Sequence, residues 1–125
     1  MSAPVILVYN LDKPQKLKLM FVCAQLKILC HSVPPSDYGQ SIAALAGLRK
    51  RSPEAYAGEG FADEMLVMAN FTNSLLQAFL NMMRQNRIPT IALKAVLTPT
   101  NADWDSVRLH DEILKEHEAM HGNQK

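Results

Sequence analysis

Two cysteines, Cys23 and Cys30, are too few for a disulfide framework and too far apart for a Cys-x-x-Cys metal or redox pair. The five glycines form no phosphate-cradling loop, and the chain has neither a G-x-S-x-G elbow nor a phosphatase-type cysteine loop. Aromatic residues are sparse, with no platform of the kind that stacks nucleic-acid bases. No apolar run approaches the ~20 residues of a membrane span, and the short run after Met1 lacks the basic leader of a signal peptide. Thirteen basic against twelve acidic side chains leave a formal charge of +1, so there is no global pull toward nucleic acid or an anionic membrane. The expectation is a cytoplasmic domain without membrane association, its thiols buried and free in a reducing compartment.

What is present is ordered. Residues 4–9 form a near-continuous apolar run that reads as a buried strand. Asp12 caps the helix that follows, with Pro14 in its first turn, and Leu17, Met20, Phe21 and Ala24 recur at helical spacing as its expected core stripe. Residues 28–33 are a second strand closed by Pro34-Pro35, and a short helix capped by Ser36 or Asp37 ends near Gly47. Residues 48–62 carry Arg49-Lys50-Arg51, Pro53 and little periodicity, the composition of a surface loop. Residues 64–70 are a third strand. Thr72 caps a helix whose buried face holds Leu75, Leu76, Phe79, Leu80 and Met83, and residues 90–97 are a fourth strand. Thr100 or Asn101 is the expected cap of a last helix ending before Gly122.

The order is βαβα twice. Asn10-Leu11-Asp12 matches Asn70-Phe71-Thr72 and Lys27-Ile28 matches Arg87-Ile88, which points to pseudo-repeats at residues 1–47 and 63–122 within one domain. A four-stranded, mainly parallel α/β sheet in the order 2-1-3-4 follows, with helices on both faces. Asn10 and Asn70 would then lie side by side at the switch point where such sheets hold ligands. Lys94 on an edge strand would reach water and discourage strand-on-strand association.

Three patches could carry chemistry. The corner after the fourth strand offers Thr98, Thr100 and Asn101 at a helix start, with Lys94 as countercharge and Asn10 or Asn70 in reach, which suits a small anion. The bland alternative is a capped helix beside a solvated lysine. His117-Glu118-Ala119-Met120-His121 is a literal H-E-x-x-H, the pattern that puts two zinc-binding imidazoles on one helix face. It lacks a third ligand nearby, because His110 stands about 10 Å away along the same helix at 1.5 Å per residue. Arg49-Lys50-Arg51 could touch phosphates, although three charges are usually a solvated loop and nucleic acid is disfavoured.

L-V-Y-N near the start, D-Y-x-Q at 37–40, E-M-L-V at 64–67, I-A-L-K-A-V-L-T-P-T-N-x-x-W at 91–104 and E-H-E at 116–118 together resemble a small bacterial family known only as domain of unknown function 3783. That resemblance implies no activity and transfers no catalytic residue. The reading that results is a non-catalytic binding or interaction module for a small anionic ligand or a protein partner. Open strand edges leave room for a homodimer. The alternatives are a zinc-dependent hydrolase at His117 and His121, phosphate chemistry centred on Lys94, or nucleic-acid binding through residues 49–51.

Overall fold

A computed structural model describes residues 3–122, with side chains through residue 119. The elements are β1 (Val5–Tyr9), α1 (Lys13–Leu26), β2 (Leu29–Ser32), a 3-10 turn (Pro35–Asp37), α2 (Ile42–Leu45), β3 (Met65–Ala69), α3 (Asn73–Gln85), β4 (Leu93–Val96) and α4 (Ser106–Gly122). They form a four-stranded sheet in the expected order β2-β1-β3-β4. Strand alternation sends Val5, Leu7 and Tyr9 to the face covered by α2 and α4, and Ile6 and Val8 to the face covered by α1 and α3.

The expectation of a mainly parallel sheet is corrected at its centre. β2 runs parallel to β1 and β4 parallel to β3, but β1 and β3 are antiparallel, with Val5 opposite Ala69 and Tyr9 opposite Met65. Runs buried on both faces look alike in either direction, so hydropathy does not report the sense of pairing. A two-fold axis normal to a sheet reverses the strands it relates. Because α1 and α3 cover the same face here, an axis relating the two halves stands normal to the sheet, in keeping with the antiparallel centre.

Local geometry recurs between the halves. Among the described residues, the non-glycine positions of positive φ are Asn10 (62°) with Asn70 (63°), and Lys27 (58°) with Arg87 (56°). Asp12 accepts from the Gln15 amide, as Thr72 accepts from that of Leu75. Both helices close with the same bonds, Ile28 N–H to the Cys23 carbonyl at 2.8 Å and Ile88 N–H to that of Met83 at 3.0 Å. These are the long closing bonds of a Schellman turn, here with lysine or arginine where glycine is usual.

α1 supplies a second correction. It carries two apolar stripes at helical spacing, Leu17-Met20-Phe21-Ala24 and Leu19-Val22-Cys23-Leu26, and the sheet takes the second. Leu17, Met20 and Phe21 stand 56, 48 and 54% exposed. Periodicity shows that a stripe exists, but with two candidates it cannot decide which one faces the core.

The left-handed C-caps give a stability test. Lys27→Gly and Arg87→Gly should each stabilise the fold by about 1 kcal/mol, because a side chain in this region costs about that much. The gain is read as a higher urea midpoint at unchanged slope. A lower midpoint would mean that contacts of these side chains outweigh the strain.

Candidate functional site

The corner after β4 is built differently from the helix start that the sequence suggests. The Thr98 amide donates to Asn101 Oδ1 at 2.9 Å, the Asn101 amide to Thr98 Oγ1 at 3.2 Å, and Asn101 Nδ2 to the Val96 carbonyl at 3.1 Å. The polar atoms of Asn101 are thus spent on the turn itself, and Thr100 is exposed beside it. Neither residue caps α4. Asp105 does, accepting from the Arg108 amide at 2.8 Å, so the helix starts at Ser106. The cleft at the corner, about 250 Å³, brings Lys94 together with Thr98, Thr100 and Asn101, but Glu112 and Glu116 border it too, and their carboxylates oppose the pull of the lysine on an anion. Lys94 borders this cleft and also a second one between α3 and the start of β4. It is paired in register with Leu66, which lies under α1 and α3, and its ammonium donates to the Ile91 carbonyl at 2.6 Å.

Asn10 and Asn70 are not neighbours. With β1 and β3 antiparallel they lie at opposite ends of the sheet, and each braces the chain entering the other strand. Asn10 Nδ2 donates to the Phe61 and Asp63 carbonyls, both at 3.0 Å, and Asn70 Nδ2 donates to that of Ala3 at 3.0 Å. Asparagine suits both positions, because it tolerates positive φ and has an amide to offer.

The segment between α2 and β3 is a clasped strap across the α2/α4 face. Buried Gln40 donates to the Ser52 carbonyl at 2.7 Å and accepts from the Ser52 amide at 2.8 Å, and the Tyr56 amide donates to Ser36. Arg51 pairs with Asp37 at 3.0 Å and Arg49 pairs with Asp103. Arg51 also approaches His31 Nε2 at 3.3 Å, where burial and then the guanidinium hold the imidazole below its ordinary pKa. Both arginines of the basic triplet therefore already face carboxylates, which weakens the nucleic-acid reading.

Beneath the strap lies an aromatic cluster that sequence reasoning missed. Phe61 stacks on Tyr38 at 4.7 Å and on His110 at 4.0 Å, and Tyr9 shares a 2.7 Å hydrogen bond with Ser106. His110, which the sequence set beside the H-E-x-x-H pattern, is buried, with Nε2 2.8 Å from Asp63 and Nδ1 3.0 Å from Asp111. His117 faces a cleft bordered by Asp63 and Glu64 on the way to β3. The side chain of His121, the other half of the zinc proposal, lies outside the described residues. Among those described, no three histidine, cysteine or acidic side chains stand together as a metal set.

The outward face of α1 is the other feature that the sequence misplaced. Its apolar stripe is flanked by Lys13, Lys16, Lys18 and Lys27, and no carboxylate occurs between Asp12 and Asp37. The corresponding face of α3, with numbering shifted by the spacing that relates Asn10 to Asn70, carries Gln77, Leu80, Asn81 and Arg84. The fold accepts a polar surface there. On α1 it carries an apolar one.

These features define a three-layer α/β domain with a mixed sheet, and no described helix is long and apolar enough to cross a membrane. Residues 64–120 match the family described as Domain of unknown function (DUF3783), in agreement with the resemblance seen in the sequence. The match runs from the approach to β3 into α4 and includes the corner at 91–104. No curated protein and no solved structure matches the chain.

The strap and the cluster beneath it generate two tests. Gln40→Ala removes both bonds to Ser52 and should cost the clasp about 1–3 kcal/mol. Tryptic cleavage at residues 49–51 should then rise about tenfold for each 1.4 kcal/mol lost, and an unchanged rate would mean that other contacts hold the strap. Burial raises the Tyr9 phenol, and to a lesser degree that of Tyr38, above the ordinary value of 10.0. Their protonated forms therefore contribute stability that is present below pH 10 and is lost as pH rises beyond it. An absorbance titration should show Tyr9 ionising only as the fold is lost, and Tyr9→Phe should remove that late component.

Proposed function

We propose that the protein is a non-catalytic interaction module that docks an acidic, amphipathic helix of a partner protein on the outward face of α1. The observation that carries this reading is the exposed stripe of Leu17, Met20, Phe21 and Ala24. Its i, i+3, i+4, i+7 spacing is the anchor pattern of helix recognition. The reading treats the chain as one domain of two related units, residues 1–47 and 63–122, of which only the first presents an apolar helix outward.

Charge selects the partner. Four lysines on or beside α1 favour a carboxylate-rich surface and would repel each other if two copies met α1 to α1. Fully burying a large apolar side chain gains about 1.5–3 kcal/mol. Three that are already half-covered gain about half of that each, which suits a weak, transient complex steered by charge.

The test is an NMR titration with a synthetic helical peptide bearing leucines on one face and glutamates on the flanks. Saturable shifts centred on α1, weakened by salt and lost in Phe21→Glu without change in thermal midpoint, are expected. A sedimenting dimer that Phe21→Glu dissociates would instead make a second copy the occupant. Binding to phosphatidylserine vesicles and not to the peptide would make it a membrane surface. No response of α1 to any of these would sink the reading.

A second reading keeps the small anionic ligand but moves it. A cleft of about 250 Å³ between α3 and the start of β4 has Leu80, Met83, Ile88 and Ile91 as apolar walls, with Arg84 and Lys94 as cations. Its volume falls below the ~300 Å³ at which drug-sized pockets begin, so it suits a short-chain carboxylate. Octanoate should raise the thermal midpoint of the wild type and not that of Lys94→Ala; equal shifts would remove this reading.

A further inference from the structure

Cys23 and Cys30 were expected to be buried, free thiols. Both are free, but their surroundings differ. Cys23 lies on the buried side of α1 and is 1% exposed. Cys30 lies on the edge strand β2, only partly buried, and pairs in register with Ile6. It therefore faces the same side of the sheet as Ile6 and packs into the cluster under α1 to which Cys23 belongs. There the two thiols bear on each other's ionisation, and the Lys16 ammonium acts on Cys30 from the first turns of the same helix.

We propose that Cys23 and Cys30 form a peroxide-reactive dithiol site in which Cys30 attacks and Cys23 resolves. The division of roles follows from the surroundings. Cys30 has access to solvent, whereas Cys23 is sealed under α1 and can reach only its neighbour. The influence of the neighbouring Cys23 thiol holds Cys30 below its ordinary pKa, against the opposing effect of burial and with help from Lys16. The influence of Cys30 and then burial push Cys23 up, so it keeps its proton until it reacts.

The chemistry closes with a peroxide as oxidant. The Cys30 thiolate attacks one peroxide oxygen, the O–O bond breaks, and the departing hydroxide takes a proton to become water. Cys30 is left as a sulfenic acid. The Cys23 sulfur then attacks the Cys30 sulfur, giving its proton to the leaving hydroxyl, and a second water departs as the S–S bond forms. Each thiol loses one hydrogen, the pair loses two electrons, and hydrogen peroxide is reduced to two waters. The site is independent of the docking reading, since neither sulfur belongs to the outward stripe.

The experiment treats the full-length protein with hydrogen peroxide under native conditions, followed by alkylation and intact-mass measurement. The wild type should lose two hydrogens, resist alkylation at both cysteines, and recover with dithiothreitol. Cys23→Ser should stop at a Cys30 sulfenic acid that dimedone traps, with Cys23→Ala as a second variant should serine disturb the core. In Cys30→Ser, Cys23 should react at least about tenfold more slowly than Cys30 does in the wild type. Disulfide-linked dimers in place of the internal bond, equal reactivity of Cys23 in Cys30→Ser, or a wild type left unmodified would each overturn the proposal.

Discussion

The ladder between β1 and β3 is the contact on which the other layers depend. Its five residue pairs, from Val5 with Ala69 to Tyr9 with Met65, join two strands that are buried on both faces. Because the strands run antiparallel, each parallel pair in the sheet points its carboxyl ends the opposite way. A doubly wound parallel sheet gathers those ends at one crevice. Here they are divided between two edges of the molecule, and the asparagines that end β1 and β3 brace incoming chain at each edge.

The two faces of this sheet are finished differently. On the α2/α4 side, α2 is a single short turn, and the area it leaves is covered by the strap, the Phe61 stack and the buried pair of Tyr9 and Ser106. Polar groups under the strap find partners within it: Gln40 with Ser52, Asp63 with His110, Asp37 with Arg51. On the α1/α3 side the helices are alike in length, caps and closing turns, yet α3 ends the molecule in polar residues and α1 does not. A helix with apolar stripes on two faces generally has a neighbour on each. The exposed stripe of α1 is the basis for proposing that the protein works by contact.

Much of the architecture was legible in the residues. Asp12 and Thr72 announced their helices as N-caps, the apolar runs marked the four strands, and the match of Asn10 and Lys27 to Asn70 and Arg87 anticipated shared backbone geometry. These are local signals, set within a few residues by sterics and hydrogen bonding. The candidate site was much less legible. The corner at residues 98–101 has the composition of a helix cap, but Asn101 turned its side chain inward to close the turn and Asp105 took the capping role. Lys94 does border the corner cleft, but so do Glu112 and Glu116 of α4, which no reading of the segment 91–104 alone could place there.

By itself the sequence determined the element order, the caps of α1 and α3, and the presence of apolar residues at helical spacing on α1. Each follows from short-range chemistry that a single segment carries with it. Only the tertiary structure decided the sense of the β1–β3 pairing, which face of α1 is buried, and that Cys23 and Cys30 pack into one apolar cluster. Each of these depends on which surface a segment meets, and an apolar residue carries the same preference for burial whatever covers it.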